Sequence, residues 1–245
     1  MGRKVIVCVM TICLLGISSV QASEGWIYNA GRIAYYSTAL ESETDGFYTW
    51  TGETWNGRVH GYGIQTFYSD DGQECGYYEG YMDDGYREGY GRFSWAGISY
   101  KGGWHLSRYH GKGYLKSASS QYLGNFVNGE KEGRGVLIGD GVVMTGQFVN
   151  DRFNEYQELS QGYFIIGLCT RNKEAAVQEA TENRKIGHHP MVVYSSDWSN
   201  LAPGWYMVVY GDLANEDELN LLDGFKFYGG FDYYIKYSGD RKPSI

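Results

Sequence analysis

The sequence predicts a mainly β protein in which an elongated, single-layer sheet of repeated hairpins is followed by a smaller α+β domain. Two observations favour this fold class. A Tyr or Met that is followed two residues later by Gly stands at positions 78, 100, 122 and 144, so the copies are 22 residues apart. Such a fixed period is the mark of a repeat array. Beyond Gln161 this period stops, and short apolar runs alternate with segments of helical composition.

The first 22 residues have the features of a secretory signal peptide. Arg3 and Lys4 precede an apolar run from Val5 to Val20, which is short for a membrane span. The segment Val20-Gln21-Ala22 places small residues at the cleavage positions. We therefore expect an exported mature chain, periplasmic or secreted, with an N-terminal segment at residues 23–45.

The charge balance argues against two classes of partner. The whole chain has a formal net charge of −8 at pH 7, and removing the signal peptide takes two basic residues and no acidic ones, which leaves −10. Nucleic acid and anionic lipid both attract Lys and Arg. The sequence therefore predicts no nucleic-acid partner and disfavours an anionic membrane.

Each copy of the repeat predicts a β-hairpin. Asp84-Gly85 and Asn128-Gly129 supply the positive φ angles of a tight two-residue turn, whereas the third copy has Ser107-Arg108 at this place. We count five copies over residues 46–156, which we call the array. At about 4.8 Å for each strand, five hairpins extend about 50 Å.

Alternation along these strands places a ladder of aromatic side chains on one face of the array. The ladder residues are Tyr78, Tyr100, Trp104, Tyr122 and Phe126. The glycines beside them leave room for rings to lie flat across the backbone. The ladder is either the core of the sheet, which apolar alternation commonly indicates, or a groove for a peptide or glycan. A single sheet does not bury a face by itself, so we expect a cover or an available binding face.

Three elements of each copy carry a resemblance to a known family. Tyr78-x-Gly80, Asp84-Gly85 and Gly89-x-Gly91, with their downstream copies, resemble the MORN repeat. The resemblance implies an elongated, twisted sheet of hairpins that acts chiefly as an interaction module, sometimes attached to enzymes and sometimes proposed to meet lipid. Asp151 and Asn154 stand at glycine positions of the last copy, which suggests a terminal cap.

Residues 157–240 predict two successive strand, helix and strand units. The predicted strands are 163–169, 191–195, 204–211 and 232–237, and the predicted helices are 172–185 and one that follows Asn215. Asn215 with Glu218 three residues later forms a capping box. Four strands backed by two helices in this order make a ferredoxin-like βαββαβ sandwich.

Short glycine motifs in this region carry a second resemblance. Gly167-Leu168-Cys169-Thr170 and Gly211-Asp212-Leu213-Ala214 each end a strand before a helix, and Glu174-Ala175-Ala176 opens the first helix. Together they resemble the SPOR domain over about residues 160–238. The resemblance implies an envelope module that holds peptidoglycan glycan strands on the sheet face away from the helices.

Aligning the two halves on these glycines assigns side chains to the two faces of the sheet. The helix-facing set is Phe164, Ile166, Tyr206, Val208, Tyr210, Tyr233 and Ile235. The far set is Tyr163, Ile165, Trp205, Met207, Val209, Tyr234 and Lys236. The strand 204–211 is apolar on both sides, which is typical of a strand covered twice.

These assignments predict either docking or glycan contact for the far face. We expect it to pack against the aromatic face of the array or against another chain. Because Tyr and Trp also stack on sugars, glycan binding is the alternative. Its candidate residues are Tyr163, Trp205, Met207 and Tyr234.

The remaining motifs predict no catalysis, cofactor or metal. In the mature chain Cys75 and Cys169 either form a disulfide or act as small hydrophobes. His188 and His189 are adjacent in a predicted turn, so we expect solvated loop residues rather than metal ligands. The sequence contains no nucleophile elbow or phosphate loop. We therefore expect a non-catalytic envelope protein that binds a protein partner, peptidoglycan glycan or both. An accessory or disguised glycan- or lipid-processing enzyme is the alternative.

Overall fold

The computed structural model describes residues 25–29, 32–36, 47–69, 71–154, 159, 161–223, 225 and 232–241. Within this part the chain is mostly β, with two antiparallel sheets and few helices. The predicted signal peptide, residues 1–22, lies outside the described residues.

The first sheet is a long antiparallel ribbon of thirteen described strands. They are β1 (Gly25–Asn29), β2 (Arg32–Tyr36), β3 (Phe47–Trp50), β4 (Glu53–Trp55), β5 (Arg58–Tyr68), β6 (Glu74–Asp83), β7 (Tyr86–Trp95), β8 (Ile98–His105), β9 (Arg108–Lys116), β10 (Ser120–Val127), β11 (Glu130–Gly139), β12 (Val142–Val149) and β13 (Arg152–Phe153). From β5 to β13 each strand pairs with its neighbours in the chain. The predicted series of hairpins is therefore confirmed.

The turns along one edge of the ribbon lie close to the predicted places. Both central residues have positive φ at Asn56-Gly57, Asp84-Gly85 and Asn128-Gly129, which matches the twist of the flanking strands. In the third copy the turn is formed by Leu106 and Ser107, with φ of 47° and 62°, one residue before the predicted position. The other edge turns at Ala96-Gly97 and Asp140-Gly141, which the sequence reasoning missed.

The second sheet belongs to the C-terminal unit, by which we mean the described residues from 159 onward. Its strands are β14 (Tyr163–Thr170), β15 (Met191–Tyr194), β16 (Tyr206–Leu213) and β17 (Tyr234–Tyr237). They lie in the order β15-β16-β14-β17, and every adjacent pair is antiparallel. Helix α1 (Lys173–Lys185) joins β14 to β15, and the short α2 (Glu216–Leu219) follows β16. The side chains of Asn172 and Asn215 cap these helices by accepting backbone N–H bonds.

The faces of β14 are opposite to the predicted ones. The cluster that contains α1 includes Ile165, Val208 and Tyr210, whereas Phe164 and Ile166 lie with Met207 and Val209 in a separate cluster. The placement of Phe164 and Ile166 against the helices, and of Ile165 away from them, is therefore wrong. Register shifts on both sides of Ile166 pair Gly211 with Ile165. A one-residue slip exchanges the two faces of a strand.

Strand β16 is covered on both sides, as predicted, but the covers differ from the expected ones. Every residue from Met207 to Leu213 is buried. Trp198 and Leu201, from the segment after β15, cover one face. Helix α1 and array residues, among them the buried Val136, Ile138 and Val143, cover the other. The expected docking of the far face on the aromatic ladder is therefore wrong.

Candidate functional site

Each tyrosine ring of the ladder lies on a floor of two glycines. The Tyr78 ring extends over Gly80 and Gly91, and a Cβ atom added at Gly91 would lie 2.6 Å from Cε2 of that ring. The hydroxyl of Tyr78 donates to the Tyr81 carbonyl oxygen at 2.9 Å. The same floor recurs for Tyr100 over Gly102 and Gly113 and for Tyr122 over Gly124 and Gly135.

A second side chain packs on each of these rings. The guanidinium of Arg87 lies 4.9 Å from the centre of the Tyr78 ring, and Tyr109 stacks on Tyr100 with 3.8 Å between ring centres. Lys131 Nζ lies 5.5 Å from the Tyr122 ring centre. All three covering residues stand two positions before the first Gly of a Gly-x-Gly motif. Sequence reasoning missed this position because Arg, Tyr and Lys occupy it in turn.

The aromatic face is therefore a core that the ribbon buries by itself. Tyr78, Tyr100, Trp104, Tyr122 and Phe126 are each at most 5% exposed. They meet edge to face, as between Tyr100 and Trp104 at 5.2 Å and between Tyr122 and Phe126 at 5.1 Å. Side chains of the ribbon itself form this cluster, so the expectation of either a covering layer or an available binding face is wrong. The ladder residues are core residues and do not line a groove.

The opposite face of the ribbon, which we call the outer face, is partly covered by the C-terminal unit. Val136, Ile138 and Val143 of β11 and β12 form one cluster with Val208 and Tyr210 of β16. This contact buries apolar surface of both parts, which is the main favourable term in such packing. The unit docks on the array, but on the outer face and with the side that carries α1.

Polar contacts fix the position of this docking. The Thr145 hydroxyl accepts from the Asp212 amide at 2.9 Å and donates to the Asp212 carboxylate at 3.1 Å. Arg134 lies 3.6 Å from the Asp212 carboxylate and 3.3 Å from the Glu218 carboxylate. Thr145 and Asp212 are 7% and 4% exposed, so these bonds are shielded from water and specify one arrangement.

The two adjacent histidines lie in this contact region rather than in a solvated loop. His188 is 2% exposed, with its ring 5.6 Å from the Tyr210 ring. The His189 ring lies 5.3 Å from the Phe153 ring at the end of the array. The prediction for His188 is wrong because the loop between α1 and β15 packs against β16 and the last hairpin.

Over β5 to β7 the outer face is uncovered and rich in tyrosine. Its exposed members, which we call the tyrosine surface, are Tyr62, Ile64, Tyr77, Tyr81 and Tyr90, with exposed fractions from 37% to 64%. Tyr62 stands directly opposite Tyr81 and donates to the Glu79 carboxylate at 3.0 Å. This hydrogen bond raises the pKa of the Tyr62 hydroxyl. Exposed aromatic patches are typical of interaction surfaces, so the tyrosine surface is the candidate site of this face.

Sequence reasoning missed the tyrosine surface although its signal is present. Tyr77 and Tyr81 flank the core residue Tyr78 at odd spacings along β6, so they point to the opposite face. Only the ladder face of these strands was predicted to be aromatic, so this second aromatic stripe was missed.

The predicted glycan residues of the C-terminal unit do not share one accessible face. Met207 is 3% exposed and packs with Trp198 and Leu201, so its assignment as a binding residue is wrong. Tyr163 packs against the cluster that contains α1. Tyr234 is 44% exposed, and the Arg171 guanidinium lies 4.9 Å from the ring of the partly exposed Trp205.

The two cysteines within the described residues form no disulfide. Cys75 in β6 and Cys169 in β14 are both free and exposed, so the disulfide interpretation is wrong. In the described part of the chain, no group of three or more His, Cys, Asp or Glu side chains is arranged to hold a metal ion. None of the helices described there has the length and apolar character that a membrane crossing requires.

Comparison with known families identifies the central hairpins. A family model for the MORN repeat matches residues 78–97, 100–121 and 122–141. These three segments are MORN repeats. Trp50 over Gly52 and Gly63 shows the same ring-on-glycine packing one copy earlier, so this geometry extends beyond the matched MORN segments. No curated protein matches the chain. The MORN repeats indicate a protein-interaction or binding role.

Proposed function

We propose that this protein is a non-catalytic, exported binding and scaffold protein whose MORN array holds a protein partner on the tyrosine surface. The observation that carries the proposal is the position of this surface. It lies on the same outer face that the C-terminal unit already uses for docking at β11 and β12. Tyrosine is enriched at protein interfaces because its ring buries a large area while its hydroxyl finds a polar partner.

In this proposal the C-terminal unit is a fixed part of the scaffold. The strand order β15-β16-β14-β17, with α1 between β14 and β15, supports a ferredoxin-like βαββαβ arrangement like that of the SPOR domain. Its contacts with Val136 and Thr145 close one end of the outer face. Export to the periplasm or the medium is supported by the composition of residues 1–22.

Photo-crosslinking in the native cell tests the protein-partner proposal. A photoreactive amino acid at Tyr90, which is 59% exposed, should give a discrete adduct with one partner that mass spectrometry identifies. The matched control is Val177, which is 45% exposed on α1 and should give no such adduct. Identical adducts from both positions, or none from Tyr90, would contradict the proposal.

Glycan contact is a second candidate function of the C-terminal unit, supported by the exposed ring of Tyr234 and the accessible part of Trp205. Aromatic rings stack on the apolar faces of sugars. Co-sedimentation with purified peptidoglycan should then weaken on Trp205→Ala and not on Tyr194→Ala, a 38% exposed control in β15. If the wild-type protein does not sediment, the unit serves only as scaffold.

A further inference from the structure

A cluster of cations lies on the outer face between the tyrosine surface and the C-terminal unit. Its members, which we call the basic strip, are Arg92, Lys101, Lys112 and Lys116, and all are exposed. Arg92 stands directly opposite Lys101 across β7 and β8. Lys101 in turn stands opposite Tyr114 in β9, so Lys112 and Lys116 are its diagonal neighbours, at about 7–8 Å.

Lys101 and Lys112 have no carboxylate opposite them in the neighbouring strands. In the described part of the chain no member of the strip joins an ion pair. The residues paired with Lys101 are Arg92 and Tyr114, and the residue opposite Lys112 is Asn125. Like charges directly opposite one another destabilise an antiparallel pair. A ligand with negative groups would remove this repulsion.

The carboxylates described on this face lie beside the strip rather than opposite Lys101 or Lys112. Glu88 stands opposite Tyr81 and accepts the Leu106 amide. Glu79 stands opposite Arg92 on its β6 side and accepts the Tyr62 hydroxyl. Asp140 and Asp223 line a cavity of about 290 Å³ together with Lys116. Lys101 and Lys112 are therefore the members of the strip that neither face a carboxylate in a neighbouring strand nor share this cavity with one.

On the covered half of the outer face, a comparable cation is paired with carboxylates of the docked unit. Arg134, on β11, is met by the carboxylates of Asp212 and Glu218 from the C-terminal unit. Apolar residues beside it, Val136 and Val143, receive the apolar side chains of the same unit. An element that docks on this face therefore brings carboxylates to its cations and apolar groups to its apolar side chains.

We propose that the basic strip and the tyrosine surface together bind an extended acidic segment of the partner protein, an inference that rests on the proposed function. Carboxylates of the segment pair with Arg92, Lys101 and Lys112, and its apolar side chains lie on Tyr81 and Tyr90. From β5 to β9 the ribbon spans four inter-strand spacings, about 19 Å, which about six extended residues cover.

The charge of the whole protein favours a short acidic segment over a long polyanion. The formal net charge of the chain is −8, so the strip is a local positive area on a negative molecule. A segment that ends within the strip meets only the local attraction. A nucleic acid or an anionic membrane extends beyond it and is also repelled by the rest of the protein.

Fluorescence anisotropy with the purified mature protein tests this inference. The probe is a fluorescein-labelled peptide of about eight residues, with a Leu half for the tyrosine surface and a Glu half for the basic strip, so that each half presents side chains to the outer face when the peptide is extended. It should bind the wild-type protein, and Lys101→Glu should weaken binding by about tenfold or more, since one attraction becomes a repulsion. Lys112→Glu should act in the same direction. Lys173→Glu, at an exposed position on α1, makes the same change in net charge and should leave the affinity unchanged.

Three further probes separate the classes of anion. They are the same peptide with Gln in place of Glu, vesicles of phosphatidylserine and phosphatidylcholine, and inorganic polyphosphate. The inference is overturned by absence of peptide binding, by equal affinity of Lys101→Glu and the wild type, by undiminished binding of the Gln peptide, or by tighter binding of vesicles or polyphosphate. If the Tyr90 crosslink persists while the peptide fails to bind, the proposed function stands and the acidic-segment inference is lost.

Discussion

Gly89 and Gly91 belong to one Gly-x-Gly motif but should respond differently to alanine. A Cβ atom at Gly91 would lie 2.6 Å from Cε2 and 2.9 Å from the hydroxyl oxygen of Tyr78. The ring has little freedom to withdraw, because Arg87 packs on it and its hydroxyl is bonded to the Tyr81 carbonyl. We expect Gly91→Ala to lower the free energy of unfolding by about 3 kcal/mol, the upper range for overpacking.

The matched control is Gly89, at which an added Cβ would meet nothing within 4 Å but φ is +66°. Gly89→Ala should cost about 1–2 kcal/mol because alanine is strained in the left-handed region. Gly89→Asn should cost less, since Asn adopts that region more readily. Urea denaturation followed by intrinsic fluorescence measures all three variants. A loss at Gly89→Ala equal to or larger than that at Gly91→Ala would refute the reasoning.

Two other predictions concern the docking contact and the buried tyrosines. Thr145→Val removes the hydroxyl that makes two hydrogen bonds with Asp212, so it should cost about 1–3 kcal/mol and speed amide exchange in β16. Thr54→Val in the exposed β4 should neither lower stability nor speed exchange in β16. Equal exchange rates in the two variants would count against the contact between Thr145 and Asp212. Burial raises the pKa of four tyrosine hydroxyls, those of Tyr78, Tyr100, Tyr122 and Tyr210. Their protonated forms therefore stabilise the fold fully below a pH of about 10, which is the pKa of tyrosine in the unfolded chain. This stabilisation is lost as the pH rises towards the folded-state pKa. As the pH rises, tyrosinate absorbance should therefore increase first from the exposed rings and later from the buried rings, in a phase that coincides with unfolding. A single phase at the ordinary pKa of tyrosine would contradict the burial.

The array was predictable because its determinants are local and periodic. The rings Tyr78, Tyr100 and Tyr122 and their floor glycines recur every 22 positions, and two of these three copies carry an Asp-Gly or Asn-Gly turn, so alternation and turn chemistry suffice to place the hairpins. The covering residues Arg87, Tyr109 and Lys131 were not found, because a shared position with unrelated side chains leaves no pattern. The turn at Leu106 and Ser107 was misplaced by one residue since neither is a glycine or asparagine.

The C-terminal unit shows where alternation fails. The caps at Asn172 and Asn215 were predictable from short spacings, whereas the faces of β14 depend on register shifts around Ile166 that leave no signature in a single sequence. The docking surface depends on contacts such as Thr145 with Asp212, which are 67 positions apart. Local patterns do not determine which of two apolar faces meets a distant element.

Nearest-neighbour pairing from β5 to β13 makes the array adjustable in length. Insertion or deletion of one MORN copy would shift the C-terminal unit by about 10 Å along the ribbon, two strand spacings. The same change would rotate the unit by about 40–50°, the twist of two strands. The packing inside every other copy would stay as it is. The copy number therefore sets the distance and the angle between the tyrosine surface and the C-terminal unit.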